Sequence, residues 1–152
     1  MKMLIALALS LVLGGTAMAE DHSKDIVRKA AKAGVVETLD QLVATMEGAG
    51  LKIFARIDHG AGAQSIGENV GASQLLIFGN PKVGTPAIKD DRISGLFLPL
   101  KVLVYEDAEG KTMIAYETPK ANLGKLGGVS EDAPYLAVMA GALAKFTDGV
   151  AE

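Results

Sequence analysis

The chain contains no cysteine and no tryptophan, and only 5% of its 152 residues are aromatic. Without cysteine it can form neither disulfides nor cysteine-ligated zinc or iron–sulfur sites, and it has no thiol nucleophile. It also lacks a dense run of Lys and Arg, and few aromatic side chains are available to stack on bases. This composition argues against nucleic-acid binding.

Long apolar runs are also missing, except at the start of the chain. Lys2 precedes an apolar run over residues 3–13, and Ala17-Met18-Ala19 follows it, which is the pattern of a cleaved signal peptide. The run is shorter than the ~20 residues that span a bilayer, so an uncleaved anchor is the less favoured alternative. We therefore expect a signal peptide at 1–19, export to the periplasm or the medium, and no stable membrane insertion after cleavage.

The remaining residues, 20–152, have the size of one domain. Because only Lys2 is lost, this domain has 14 basic and 18 acidic residues, and its net charge of −4 favours solubility. His59 is the only histidine outside the polar segment that follows the signal peptide. A metal site would thus depend on carboxylates, and we predict neither a metal nor another cofactor.

Hydrophobic periodicity predicts the secondary structure of this domain. Apolar residues at three- and four-residue spacing predict a helix over 35–46, with Gly34 as its N-cap and Gly48 or Gly50 at its end. A second long helix begins at Ser130, or later at Asp132 and Pro134. Strands are predicted over 26–31, 51–57, 74–78, 98–106 and 111–117, with a hairpin turn at 107–110.

Two short helices are predicted between the strands, over 60–67 and from Thr85-Pro86 to about residue 91. The order of the longer elements is strand, helix, three to four strands, helix. A single sheet covered on one face by the two long helices fits this order, which defines the class as α+β.

Asp58 and His59, at the end of a predicted strand, are the first candidate site. An aspartate can orient an imidazole, and histidine transfers protons near neutral pH. Neighbouring residues of an extended chain point to opposite faces, however. Asp58 is also a preferred capping residue, so it can instead begin the helix that follows.

The second candidate is the segment 79–85, in which Gly79, Asn80, Lys82, Gly84 and Thr85 are the candidate ligand-binding residues. Its strand–loop–helix context, glycines and lysine are typical of an anion-binding loop. The likeness to a phosphate loop fails at one position, because the lysine expected after the second glycine is missing. The structural alternative is a rigid turn with Thr85 capping a helix.

The two candidates form one site only if the strands that carry them are parallel. Fifteen residues connect His59 to Ser73, enough for a parallel crossover. In an antiparallel pair the two segments lie at opposite ends, ~20 Å apart. The residues themselves leave both arrangements open.

Four segments carry a resemblance to a known family. They read IDHGAGA, LLIFGNPKVGTP, LPLKVLVYEDAEGK and AYETP, in this order. Together they are similar to the family called domain of unknown function 302, over nearly all of residues 20–152, and the FGNPK-x-GT segment is specific.

The resemblance implies a fold like that of the TATA-binding protein, in the order β-α-β4-α. In it, a curved, mostly antiparallel sheet carries two long helices on one face. The likeness concerns architecture and gives no warrant for DNA binding. Many relatives carry an Arg-His pair after the tyrosine strand, where this chain has Lys120-Ala121-Asn122. If that pair serves chemistry in the relatives, its loss favours a binding or structural role here.

Three functions follow as hypotheses. The favoured one is a periplasmic module that binds or senses a small-molecule ligand, with anions among the candidates. The second is an interaction protein that self-associates, as a homodimer, through the open face or edge of the sheet. The third is an enzyme that uses His59 and Asp58 for proton transfer or weak metal binding.

Overall fold

The structure is a computed structural model that describes residues 25–152. The predicted signal peptide, residues 1–19, lies outside the described residues. The described residues form five strands and five α-helices. The strands are β1 (Ile26–Ala30), β2 (Lys52–Asp58), β3 (Ser73–Gly79), β4 (Leu100–Glu106) and β5 (Thr112–Glu117), and the helices are α1 (Val35–Gly48), α2 (His59–Gln64), α3 (Pro81–Asp90), α4 (Pro119–Asn122) and α5 (Pro134–Val150).

All five strands form one antiparallel sheet in the order β1-β5-β4-β3-β2. The predicted α+β class and curved antiparallel sheet are confirmed, with β4 at the centre and β1 and β2 at the edges. The predicted hairpin joins β4 to β5. Asp107 Oδ1 accepts hydrogen bonds from the amides of Glu109 and Lys111, and Gly110 has the positive φ of 78° that this turn requires.

The main core lies between this sheet and the two long helices. Alternate residues of β3, β4 and β5 face α1 and α5, because successive side chains of a strand point to opposite faces. The fully buried members of this core are Leu39, Leu42 and Met46 of α1, Leu76, Phe78, Val102, Val104 and Ile114 of the sheet, and Leu143 of α5. Both long helices therefore cover the same face, as predicted.

A second apolar cluster holds α3 against the start of α5. Ala87 of α3 packs with Leu136 and Met139 of α5 and with Leu123. Just after α3, the buried Ser94 hydroxyl donates a hydrogen bond of 3.0 Å back to the carbonyl of Ala87 in the helix. The position of α3 at the edge of the fold is thus set by its own small core.

The predicted start of α3 was wrong. The sequence predicts Thr85 as its N-cap and Pro86 as its first residue, but the helix begins five residues earlier, with Asn80 as N-cap and Pro81 as first residue. Asparagine is the better cap, and Pro81 has the backbone angle of a first helical residue. Pro86 therefore lies inside the helix, where its missing N–H removes one hydrogen bond.

The predicted start of α5 needs a smaller correction. Neither Ser130 nor Asp132 is its cap, since the helix begins at Pro134 after Ala133. A 3-10 helix at Arg92–Leu96 and the four-residue α4 lie where no helix was predicted. Both are shorter than the window over which periodicity is detectable.

Candidate functional site

The two predicted site segments lie at opposite ends of the β2–β3 pair. Asp58 is in register with Gln74, whereas Lys52 is in register with Gly79 at the other end. With ~3.3 Å per residue, the two ends are ~20 Å apart. The antiparallel alternative is therefore the one observed, and Asp58 and Asn80 do not share a site.

Asp58 caps helix α2. Its Oδ1 accepts a hydrogen bond of 2.8 Å from the amide of Ala61, and its Oδ2 accepts one of 2.9 Å from the side-chain amide of Gln74. Both carboxylate oxygens thus stabilise the local backbone and the neighbouring strand. This is the structural alternative that the capping preference of aspartate predicts.

His59 is the first residue of α2, and its side chain is exposed. Within residues 25–152, its imidazole has no hydrogen-bond or ion-pair partner. A histidine that transfers protons is normally held by a group that fixes its tautomer and orientation. The adjacent Asp58 does not supply this contact, because its oxygens bond to Ala61 and Gln74.

A polar network continues from Asp58 along the sheet edge. Gln74 Oε1 accepts a hydrogen bond of 2.6 Å from Arg56 Nε, and Arg56 Nη1 forms an ion pair of 2.6 Å with Asp40 of α1. The network thus joins α1 to β2 and β3 where the main core meets solvent. The contacts with Gln74 and Asp40 give Arg56 a structural role.

At the other end of the pair, Asn80 engages the first amides of α3. Its side-chain oxygen accepts from the amide of Lys82 at 2.9 Å. Its backbone carbonyl accepts from Val83 at 2.9 Å and from Gly84 at 3.0 Å. Pro81 has no N–H, so every first-turn amide that an anion-binding loop would offer already has a partner. The segment begins a closed, capped helix.

Beside this helix start lies a groove of about 250 Å³. Four of the predicted ligand-binding residues line it, namely Gly79, Asn80, Gly84 and Thr85, whereas the exposed Lys82 does not. The rest of its wall is mainly apolar and comes from four elements of the fold. It includes Phe54, Val83, Ile88, Leu98, Pro99 and Met139.

Two glycines keep this groove open. A Cβ atom on Gly84 would lie 3.5 Å from Leu98 Cδ1, and one on Gly79 would lie 3.5 Å from the Cβ of Pro99. Both distances are ordinary van der Waals contacts, so a Cβ atom at either position would pack against the wall of the groove without strain and occupy part of it. The glycines leave the volume that a ligand would need.

Sequence reasoning missed the apolar wall of the groove. In the alternating pattern of β2, Phe54 falls on the same side as Lys52 and Arg56, and it lies at a β-bulge between Ile53 and Ala55, with 47% of its surface exposed. A phenylalanine among polar positions was the available signal. Leu98, Pro99 and Met139 gave none, because their approach to α3 depends on tertiary packing.

Two further properties of the described residues bear on other kinds of site. In residues 25–152, no three or more His, Asp or Glu side chains lie close enough together to hold a metal ion. Over the same range, no helix combines the length and apolar composition needed to cross a bilayer.

The fold and groove define an α+β protein with a five-stranded antiparallel sheet, two long helices on one face and a small apolar groove at the start of α3. The family model described as domain of unknown function DUF302 matches residues 27–146. The chain belongs to this family, as the sequence resemblance predicted.

A solved structure shares the fold. The crystal structure of an uncharacterized conserved DUF302 protein from Bacillus stearothermophilus superposes with a TM-score of 0.65, at 21% identity. The match covers 82% of this chain and 94% of that protein. At this identity the likeness concerns the architecture alone.

Curated relatives include fluoride-specific ion channels. The chain is 36% identical over 102 residues to FluC 1 of Brucella suis biovar 1, and the match covers 67% of this chain and 40% of the relative. FluC 2 of Brucella melitensis biotype 1 matches at the same identity over 38% of its length. The chain thus spans about two fifths of the length of these relatives.

Proposed function

We propose that this protein is an exported module that binds a small, mainly apolar ligand in the groove beside α3. The single observation that carries the proposal is the groove itself, which is open, mainly apolar, and bordered by glycines where side chains would fit without strain. Ligand sites typically combine an apolar wall with a few polar groups. Here the polar groups come from Asn80 and Thr85.

The size of the groove limits the ligand. At about 250 Å³ it is smaller than the ~300–1,000 Å³ of sites for drug-sized molecules. It exceeds the ~150 Å³ cavity in which an apolar site binds benzene. A ligand of roughly five to ten heavy atoms, with one polar group near Asn80, is the class that fits.

The contacts of Asn80 argue against an anion as the ligand. The amides of Lys82, Val83 and Gly84 already bond to Asn80, so an anion would have to displace these bonds. An anion placed in a mainly apolar groove would also lose its hydration without full compensation. The apolar ligand is therefore preferred over the anion predicted from the sequence.

The similarity to the Brucella proteins named fluoride channels concerns a part of their length. This chain matches about two fifths of them, and its described residues contain no membrane-spanning helix. On this proposal, the part that those relatives share with this chain is a ligand-binding or sensing part. Export of the present chain rests on the signal-peptide pattern over residues 1–19.

The test is a titration of the ¹⁵N-labelled protein in which the amide chemical shifts are monitored by NMR. The probes are short-chain alcohols, ketones, carboxylic acids and small aromatic compounds, with fluoride, chloride and phosphate as the anions. We expect at least one apolar probe to shift the amides of Gly79 and Gly84. At a hundred times its Kd, that probe should also stabilise the protein by about 2.7 kcal/mol.

Matched variants make this test specific. Gly84→Leu fills the groove and should abolish the shifts. Gly62→Leu places the same side chain on the short helix α2, where a Cβ meets nothing within 4 Å, and should leave binding intact. Anion shifts alone, or apolar-probe shifts that survive Gly84→Leu, would overturn the proposal.

A further inference from the structure

A second pocket, of about 190 Å³, lies on the sheet face opposite α1 and α5. Its floor is the apolar centre of that face, where Leu75 is in register with Leu103 and Leu103 with Ala115. The chain just before β4 and just after β5 supplies the side walls, which include Phe97, Pro119, Asn122 and Leu123. This part of the outer sheet face is therefore a bounded pocket.

Two neighbouring strands of the floor separate at this pocket. β4 and β5 pair with each other only as far as Leu103 and Ala115. Two residues further along, on the same face of the sheet, lie Lys101 of β4 and Glu117 of β5. There β4 is still paired with β3, and β5 with β1. One basic and one acidic side chain thus line the same pocket from two different strands.

These two charges do not neutralise each other. Among residues 25–152, the half-buried side chain of Lys101 has no hydrogen-bond or ion-pair partner. Glu117 Oε2 accepts a hydrogen bond of 3.0 Å from Asn122 Nδ2, and no basic side chain in that range pairs with Glu117. The pocket therefore offers one cationic donor and one anionic acceptor, Oε1 of Glu117, beside its apolar floor.

We propose that this pocket binds a small zwitterion with an apolar side chain, the chemical class of the apolar α-amino acids. The ligand's carboxylate accepts from the ammonium of Lys101, and its ammonium donates to Glu117 Oε1. Its side chain lies on the apolar floor. At about 190 Å³ the pocket is somewhat larger than the ~150 Å³ cavity that holds benzene, so it accommodates a side chain of roughly four to seven carbon atoms.

A ligand with a single charge fits the pocket less well. A carboxylic acid would bring its carboxylate near that of Glu117, and an amine would bring its ammonium near that of Lys101. Juxtaposed like charges are unfavourable, whereas a zwitterion places opposite charges against both groups. Charge-assisted hydrogen bonds at both ends would also fix the orientation of the ligand.

Three probes of matched shape test the proposal. They are the amino acid leucine, 4-methylpentanoate, which lacks its amino group, and 3-methylbutylamine, which lacks its carboxylate. NMR titrations of the full domain at neutral pH give the three dissociation constants. We expect leucine to shift the amides of Leu103 and Ala115 and to bind at least about tenfold more tightly than either analogue, because hydrogen bonds between charged groups are the stronger ones.

Two variants separate the two charged contacts. Lys101→Met removes the ammonium and should weaken leucine binding to about the level of 3-methylbutylamine. Glu117→Gln keeps an acceptor for Asn122 and should weaken leucine binding to about the level of 4-methylpentanoate. Lys145→Met is the matched control, since it makes the same change at an exposed lysine of α5, on the other side of the sheet, and should bind leucine like the wild type.

The outcome is independent of the groove beside α3, with which this pocket shares only Leu100. Gly84→Leu fills that groove and should leave leucine binding here unchanged, so either proposal can fail alone. Absence of shifts at Leu103 and Ala115 with all three probes would overturn the zwitterion site. So would leucine binding no tighter than that of the analogues, or leucine binding that both Lys101→Met and Glu117→Gln leave unchanged.

Discussion

The hydroxyl of Tyr135 donates a hydrogen bond of 2.9 Å to the carboxylate of Asp90. Tyr135 lies in the first turn of α5 and Asp90 is the last residue of α3, so the bond joins the two helices that border the groove. Tyr135 is 9% exposed and also belongs to the apolar cluster beneath α3. This contact helps to set the separation of α3 from the rest of the fold.

Replacing Tyr135 by Phe should lower the free energy of unfolding by about 1–2 kcal/mol. A hydrogen bond to a charged group contributes roughly 1.5–3 kcal/mol, and the apolar ring, which Phe retains, contributes separately. Urea unfolding at neutral pH measures the difference. Asp90→Asn is the companion variant, because it keeps an acceptor for the hydroxyl and should cost less. Equal stability of Tyr135→Phe and the wild type would mean that the bond is not formed in solution.

The same pair should make stability depend on alkaline pH. Burial, the hydrogen bond to Asp90 and the charge of Asp90 raise the pKa of Tyr135 above its usual 10.0. A raised pKa in the folded state stabilises the protein below pH ~10, and this contribution is lost as pH rises through the folded-state value. The stability difference between the wild type and Tyr135→Phe should therefore shrink above pH ~10. Unfolding curves of both proteins across that range test it, and a constant difference would contradict it.

Mutations of Asp58 and of His59 should have clearly different effects on stability. Asp58→Ala removes the cap of α2 and the bond to Gln74, so it should cost about 1–2 kcal/mol, whereas Asp58→Asn keeps an accepting cap and should cost less. His59→Ala removes an exposed side chain and should change stability by less than about 0.5 kcal/mol. Chemical denaturation of the three variants measures this. If His59→Ala abolished a cellular function at unchanged stability, the enzyme hypothesis would gain support instead.

The architecture followed largely from hydrophobic periodicity. The helix predicted over residues 35–46 is α1, and each predicted strand lies within a few residues of an observed one. The antiparallel pairing of β2 and β3 could not be derived from the residues, because the fifteen-residue connection allows either direction. The family resemblance decided it correctly.

The candidate site was harder to predict because two capping patterns compete within seven residues. Asn80-Pro81 and Thr85-Pro86 each combine a capping residue with a proline suited to a first helical position. Asn80-Pro81 begins the helix, so the residues predicted to form an anion-binding loop form its first turn. The groove was not predictable, since it forms where β2, α3, the start of β4 and α5 meet.

Removing the guanidinium of Arg56 should have a small, salt-dependent effect. Arg56 bonds to Asp40 and Gln74, but its side chain is 31% exposed and that of Asp40 is 61% exposed. Solvent-exposed ion pairs contribute ~0–1 kcal/mol and are screened by salt. We expect Arg56→Met to destabilise the protein by less than about 1 kcal/mol at low ionic strength, and by less again in 1 M salt. Unfolding curves at two salt concentrations measure this, and a loss that salt does not reduce would assign the contribution to packing.

Adding one methyl group at each of two glycines should have opposite effects on stability. Gly84 lies inside α3, and a Cβ there would meet only Leu98 Cδ1 at 3.5 Å, so Gly84→Ala should stabilise the protein by about 0.5–1 kcal/mol through helix propensity. Gly60 lies in α2, and a Cβ there would approach the carbonyl oxygen of Gly71 to 2.8 Å.

Because that oxygen belongs to the backbone, Gly60→Ala must displace the loop before β3 and should cost more than about 1 kcal/mol. Urea unfolding of both variants beside the wild type gives the two signs in one experiment. Gly62→Ala, also in α2 but with nothing within 4 Å of its Cβ, controls for helix propensity alone. If Gly60→Ala were as stable as Gly62→Ala, the close approach of α2 to Gly71 would be contradicted.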